Sequence, residues 1–241
     1  MEISKGLEII DLALKIGNSL IISDTHIGYE EAFNKQGIFI PRFQFREILS
    51  RLESILNKAD EKTGKIETFI INGDVKHEFG TISQTEWRHT LGLLDFVSKR
   101  CKKIVLVKGN HDKILGPIAE RRDVEIVESF VIENKGKRIL IVHGDKIPKE
   151  MPKCNTIIIG HQHPAILLRD GVRAELYKCF LRGKFRKKDL IVLPAFTPVS
   201  EGTDILKGEI LTDFLQGDIE DFIVYPVADE VYEFGKIRDL R

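Results

Sequence analysis

Cysteine is scarce in this 241-residue sequence: Cys101, Cys154 and Cys179 are odd in number and far apart. No CxxC pair occurs, so neither a disulfide framework nor a thiolate zinc site fits, and a reducing cytosol does. No apolar run is long enough to span a bilayer. The N-terminal stretch carries Glu2, Lys5, Glu8, Asp11 and Lys15, with no long apolar core and no small-residue cleavage site, which excludes a signal peptide. Net charge is absent too, since Lys plus Arg and Asp plus Glu both total 37. Nothing global therefore draws the chain to nucleic acid or membrane, and any electrostatic preference must be local. With no repeat, low-complexity segment or domain boundary, the expectation is one cytoplasmic α/β domain over residues 1–241, with no membrane partner.

What the sequence does contain is a device used five times. Short β-rich apolar runs stop at small polar clusters built from Asp, His, Asn and Gly. LIIS leads into Asp24-Thr25-His26, and TFII into Asn72-Gly73-Asp74 with His77 close behind. IVLVK leads into Gly109-Asn110-His111-Asp112, ILIV into His143-Gly144-Asp145, and TIII into Gly160-His161-Gln162-His163. Six of the seven histidines lie in or just after these clusters. Such runs read as buried strands, and open α/β sheets place ligands at the carboxyl ends of their strands. One Gly-Asp after a strand is an ordinary turn; five such clusters in one chain are a site, with Asp74 as the residue the others converge on.

In chain order, residues 7–14 read as an edge strand and Ser19–Ser23 as the first buried one. Asp24 and His26, two apart on an extended chain, would point the same way. Phe45, Ile48, Leu49, Leu52, Ile55 and Leu56 have helical spacing behind Pro41, and the polar stretch Asp60–Lys65 reads as a loop. Ser83 to Glu86 is a capping box opening a helix to about Lys99, and His89 inside it reads as an ordinary packed or surface histidine. A strand Ile104–Val107 follows, then a polar helical turn over 117–122 and a strand pair across Asn134-Lys135-Gly136. Strands Arg138–Val142 and Thr156–Ile159 come next, and Asp170-Gly171 marks a hairpin between 166–168 and 172–180. Leu190–Leu193, 222–227 and 231–234 supply further strands. Strand–helix alternation early and strands late predict two sheets packed face to face with helices outside.

The strand-end side chains Asp24, His26, Asp74, Asn110, His143, His161 and His163 comprise two carboxylates, one amide and four imidazoles. That donor set suits borderline divalent ions such as Mn, Fe, Co, Ni or Zn more than Ca or Mg. Seven ligands exceed what one catalytic ion needs and suit two ions if a carboxylate bridges them. A pair of ions about 3.5–4 Å apart holds a hydroxide nucleophile and clamps both oxygens of a phosphoryl displacement.

The order Asp-x-His, Gly-Asp, Gly-Asn-His-Asp, His, Gly-His-x-His, running from Asp24 to His163, resembles the calcineurin-like metallophosphoesterase superfamily. The segment LPAFTPVSEGTD extends a narrower likeness to its small prokaryotic members often linked to DNA ligases or helicases. Gly73-Asp74-x-x-His77 more distantly resembles the nuclease branch that includes SbcD. The resemblance implies a four-layer αββα sandwich of two mixed sheets flanked by helices. It implies one ion, with manganese first among the metals, on Asp24, His26, Asp74 and His163. A second would take the bridging Asp74 with Asn110, His143 and His161. It leaves His111 without a metal, to stabilise the phosphate and protonate the leaving oxygen, with Asp112 orienting the imidazole or capping a helix. His77 is a candidate for substrate or leaving-group contact, with a supporting role behind the ligands or a plain surface position as the alternative.

The leading function is thus a dinuclear phosphoesterase acting on phosphodiesters in nucleic acid or nucleotides, and the family likeness suggests a DNA repair ligase or helicase as associate. The same motifs would serve a phosphomonoesterase acting on a small metabolite or phosphoprotein. A non-catalytic scaffold ranks last, because no ligand has been lost. Local support for nucleic acid lies in KCFLRGKFRKK, where Lys178, Arg182, Lys184, Arg186, Lys187 and Lys188 interleave with Phe180 and Phe185. The stretch reads either as a basic rim gripping a phosphate backbone or as the solvated end of a hairpin.

Overall fold

The computed structural model describes residues 1–113, 115, 122 and 124–241. The helical turn expected at 117–122 lies mostly outside the described residues. Two mixed sheets are present. The first contains β1 (Glu2–Ser4), β2 (Leu7–Ile10), β3 (Ala13–Ile16), β4 (Ser19–Ser23), β5 (Thr68–Asn72), β6 (Lys103–Val107) and β7 (Glu125–Val127), in that order across the sheet. The second contains β8 (Ser129–Asn134), β9 (Lys137–Val142), β10 (Thr156–Ile159), β11 (Pro164–Asp170), β12 (Arg173–Phe185), β13 (Lys188–Val192), β14 (Thr203–Asp204) and β15 (Ile223–Pro226). Its order is β14-β11-β12-β13-β10-β9-β8, and β15 pairs with β12.

Burial explains these strands. The runs in β4, β5, β6, β9 and β10 are buried on both faces, as their unbroken Ile, Leu and Val content requires. One apolar layer joins Ile21, Ile70 and Leu106 of the first sheet to Ile141, Ile158, Phe180 and Ile191 of the second. Strands β4, β5 and β6 are mutually parallel, as are β9, β10 and β13. The polar clusters following β4, β5, β6, β9 and β10 therefore leave two facing sheets at carboxyl ends and converge.

Helices α2 (Gln44–Thr63) and α3 (Gln84–Ser98) lie against the first sheet, with Ile48, Leu52 and Ile55 of α2 and Leu93, Leu94 and Val97 of α3 joining its core. The capping box of α3 is formed as expected, with Ser83 accepting from the Glu86 amide. The outer face of the second sheet is covered by single 3-10 turns at Ile205–Lys207, Asp213–Leu215 and Ile237–Asp239, which contribute Ile205, Phe214, Leu215 and Ile237 to a second core. This fourth layer is thinner than the first.

Several boundaries differ from the sequence reading. Residues 7–14 span two strands, not one, because Asp11 turns the chain at φ 53°. The outer strand of that edge is β1. Helix α2 continues through Asp60–Thr63, where a loop was expected, and stops at Gly64. A short helix, α1 (Tyr29–Lys35), was not anticipated. Residues 231–234 make only a bridge between Val227 and Val231 and are no strand. Among the described residues no helix is long and apolar enough to cross a membrane.

Candidate active site

The seven ligand candidates come together between the two sheets. Asp24 Oδ1 lies 3.4 Å from His163 Nε2 and 3.6 Å from His143 Nδ1. His26 Nε2 lies 3.4 Å from His163 Nε2 and 3.8 Å from Asp74 Oδ2. On the other side of Asp74, its Oδ2 is 3.3 Å from His143 Nε2, which is also 3.1 Å from Asn110 Oδ1 and 3.2 Å from His161 Nδ1. Two of the resulting groups, Asp24–His26–His163 and Asp74–His143–His161, each bring their donor atoms within 4.8 Å of one another.

This donor arrangement fits two cations. Ligands about 2.0–2.2 Å from an ion sit roughly 3.0–3.5 Å from each other, and these spacings match. One proton on His143 Nε2 cannot satisfy three acceptors at 3.1–3.3 Å, whereas a cation among them would. Asp24 Oδ1 and the Nδ1 atoms of His26 and His143 are buried with no hydrogen-bond partner. The electrostatics agree. Burial would raise the carboxyls of Asp24 and Asp74, yet the surrounding imidazoles outweigh it and hold both below the usual range. Burial likewise opposes charge on His143, but its bond to Asp74 and the charges of Asp24 and Asp74 push it up to about 9. Two buried carboxylates thus demand positive charge between them. His26 goes the other way, down to about 3, because burial and the neighbouring His163 and His111 disfavour its cation despite Asp24 and Asp74. A neutral imidazole is the form that binds a metal.

Local backbone geometry makes this convergence possible. Asp24, His26, Asp74, His161 and His163 all have positive φ, between 38° and 62°. The extended alternation expected for Asp24 and His26 is therefore absent: β4 ends at Ser23 and two left-handed residues turn both side chains to the site. The bends are clamped, because His26 N–H donates to Asp74 O at 2.9 Å and His161 N–H to Asp24 Oδ2 at 3.1 Å. Asn72 Nδ2 reaches across to Val142 O at 3.2 Å, tying the two sheets beneath the site. Gly73 is needed for proximity: a Cβ there would lie 1.9 Å from His143 Nδ1.

His111 sits beside the ligands, its Nε2 3.8 Å from Asp74 Oδ2. Its Nδ1 contacts the His77 carbonyl, which fixes the tautomer and leaves Nε2 toward the site. The expected bond from Asp112 to this ring is not formed. The buried Asp112 carboxylate instead accepts backbone N–H bonds from Val75 at 3.0 Å and Gly109 at 3.1 Å, bracing the two ligand turns against each other. Burial and the nearby Asp74 push it up to about 6. His77 stacks on Tyr29 at 3.9 Å and groups with His26 and His111. Burial and His111 lower it to about 4.

The basic stretch does not join this constellation. Strand β13 runs parallel to β10, with Thr156 opposite Asp189 and Ile159 opposite Val192. Residues Arg186 and Lys187 form the turn before β13, so they lie at the amino end of these strands, at least about 15 Å from the ligands at 3.3 Å per residue. Arg182 donates to Ile3 O, Lys184 pairs with Asp189, and Lys188 donates to Cys154 O. Lys178 alone lies near the site end. Its amine donates to Ala195 O at 2.9 Å and to Thr197 O, and burial and Arg51 lower it to about 7.

Sequence reasoning missed two supports. Buried Gln44, the first residue of α2, donates to His26 O at 2.8 Å and to Thr197 Oγ1 at 2.9 Å, and accepts from Gly28 N. Glu86 accepts from the backbone of His77 and Glu78 as well as closing its capping box. Only the box had a sequence signal; the long-range bonds had none.

The calcineurin-like phosphoesterase family model matches residues 18–225. The chain belongs to this family. It is a hydrolase acting on phosphate esters, and its Asp/His clusters fit the divalent metals such enzymes use. The nuclease MPE from Pseudomonas putida shares the fold, with TM-score 0.64 and 23% identity over 95% of this chain and 94% of its own. A protein of unknown function from Aquifex aeolicus is 25% identical over 60% of this chain and 78% of its own, with TM-score 0.39. The E. coli phosphoesterase YfcE is 13% identical over 86% of each chain, with TM-score 0.43. No curated protein sequence matches the phosphoesterase.

Proposed function

We propose that this phosphoesterase hydrolyses phosphodiesters, with nucleic acid as its substrate class and manganese as its working metal. The observation that carries the reading is a cleft of about 460 Å³ that begins at Asn110 and continues past the ligands between Phe79, Lys108, Lys113 and Lys146. A small monoester has only its leaving group to place, whereas a polynucleotide continues beyond it, and a cleft running on to Lys113 and Lys146 has room for that continuation. Glu128 in this lining is paired with Lys108 at 3.0 Å, while Lys113 and Lys146 have no ion-pair partner among the described residues and favour a polyanion. The relation in fold to a nuclease is consistent with this choice.

Two bound ions would supply Lewis acidity, activating water and neutralising the phosphate. Asp24, His26, His163 and Asp74 would hold one, and Asp74, Asn110, His143 and His161 the other. The protein's own contribution is position and a proton. With Nδ1–H donated to the His77 carbonyl, His111 as an imidazolium carries its second proton on Nε2, gives it to the leaving oxygen and is left neutral with the proton on Nδ1. Asp112 keeps the two turns carrying Asp74 and His111 in register. The test is a matrix of Mn, Fe, Co, Ni and Zn against bis(p-nitrophenyl) phosphate, p-nitrophenyl phosphate, and single-stranded and duplex DNA and RNA. Diesters should turn over faster than the monoester, and most with Mn; a monoester preference of tenfold or more under every metal would overturn the reading.

A further inference from the structure

Phe79 is 58% exposed, yet its ring lies 3.6 Å from that of His111, centroid to centroid, at 33°. Its backbone neighbours are fixed on several sides. The Glu86 carboxylate accepts from the N–H groups of His77 and Glu78, Lys35 pairs with Glu78 at 2.9 Å, and the His77 carbonyl meets His111. Phe39 is more exposed still, at 86%, but among the described residues it makes no ring contact. Leaving an aromatic face in water forgoes about 1.5–3 kcal/mol of burial, so fold stability does not explain why Phe79 is held there. Behind it the cleft runs to Lys113 and Lys146, which have no ion-pair partner among the described residues.

We propose that Phe79 is a stacking platform for the nucleobase on the leaving-group side of the scissile phosphate, which makes the substrate an unpaired nucleic-acid strand. The inference rests on the phosphodiesterase reading above and narrows it. His111 protonates the leaving oxygen, and Phe79 covers its ring, so the group carried by that oxygen passes beside the exposed phenyl face. A flat base fills that position and shields the face. Every base has such a surface, so the contact selects nucleosides without reading sequence. A base inside a duplex is already stacked and must first leave its neighbours, which favours single strands and frayed ends. Lys113 and Lys146 are placed to meet the next phosphate along.

The test uses the metal-loaded protein with thymidine dinucleotides in which an abasic residue replaces one nucleoside, on either side of the phosphate. Wild type should lose about 5- to 100-fold in kcat/KM when the base is removed from one side only, the range expected of one base–aromatic stack. Phe79→Leu should abolish that difference, and Phe79→Trp should keep it. Independently, a single-stranded oligonucleotide carrying 2-aminopurine should be quenched on binding to metal-free wild type and not by Phe79→Leu. Equal rates with and without the base, or the same base dependence in Phe79→Leu, would overturn the platform. Should bis(p-nitrophenyl) phosphate also resist hydrolysis, the phosphodiesterase reading fails with it; should that diester be cut, the platform fails alone.

Discussion

Gly73→Ala is the most economical perturbation of the site, because it alters no ligand. An alanine Cβ would lie 1.9 Å from His143 Nδ1 and 2.5 Å from its Cγ, where about 3.5 Å is the comfortable separation. The ring must retreat by roughly 1.5 Å. His143 is fully buried, and its Nε2 lies 3.1–3.3 Å from Asn110, His161 and Asp74. A shift of that size takes it out of the ligand set. Overpacking of this kind costs about 1–3 kcal/mol, and placing a Cβ at φ 80° adds about 1–2 kcal/mol. Gly136→Ala separates the two effects: φ there is 76°, and nothing lies within 4 Å of the added Cβ. Urea unfolding of the metal-free proteins should show Gly136→Ala losing only the conformational part and Gly73→Ala losing about 1–3 kcal/mol more. Elemental analysis after Mn loading should find Gly73→Ala short of one ion per chain, with affinity down by at least about 10–100-fold. If Gly73→Ala matched Gly136→Ala in stability and held two ions, His143 would not be wedged between the sheets as described.

Two further outcomes follow from other parts of the site. His111→Ala should keep wild-type metal content but lose about 10²–10⁴-fold in turnover, and less on a p-nitrophenyl leaving group, which needs little protonation; equal losses on good and poor leaving groups would remove the proton-donor role. Lys178 titrates near 7 in the folded chain against about 10.4 unfolded, so between these values the unfolded state binds more protons and stability rises with pH. Urea midpoints of wild type should therefore gain on Lys178→Met from pH 7 to about 10, and parallel curves would show the amine to be solvated.

Much of the site was legible because each ligand cluster directly follows a strand buried on both faces. In β4, β5, β6, β9 and β10, uninterrupted Ile, Leu and Val stop where the chain leaves the sheet, and the polar residue after the last apolar one stands at a sheet end whatever the register. Glycines marked the close approaches, since no other residue fits at Gly73. What the sequence did not show depends on pairing between distant segments. The basic stretch follows His163 closely in the chain, but β12 runs back along the sheet and its turn into β13 falls at the opposite end. Asp112 follows His111 directly, yet its carboxylate is claimed by the Val75 and Gly109 amides, one of them 37 residues away. Asp11 and Asp60 misled for a simpler reason: a single acidic residue reads equally as a turn, a strand end or a helical surface position.

The left-handed ligands explain why the site is assembled by backbone and not by side chains alone. Asp24, His26, Asp74, His161 and His163 each adopt a conformation costing about 1 kcal/mol or more for a residue with a Cβ. Such strain persists only where the surroundings over-determine it. Here hydrogen bonds do so: Asp24 N–H reaches Gly73 O, His26 N–H reaches Asp74 O, His161 N–H reaches Asp24 Oδ2, and His163 O accepts from Thr203 N–H. Three of these bonds join the turns that carry ligands to one another. The turns that carry the candidate ligands therefore hold each other in the bent form.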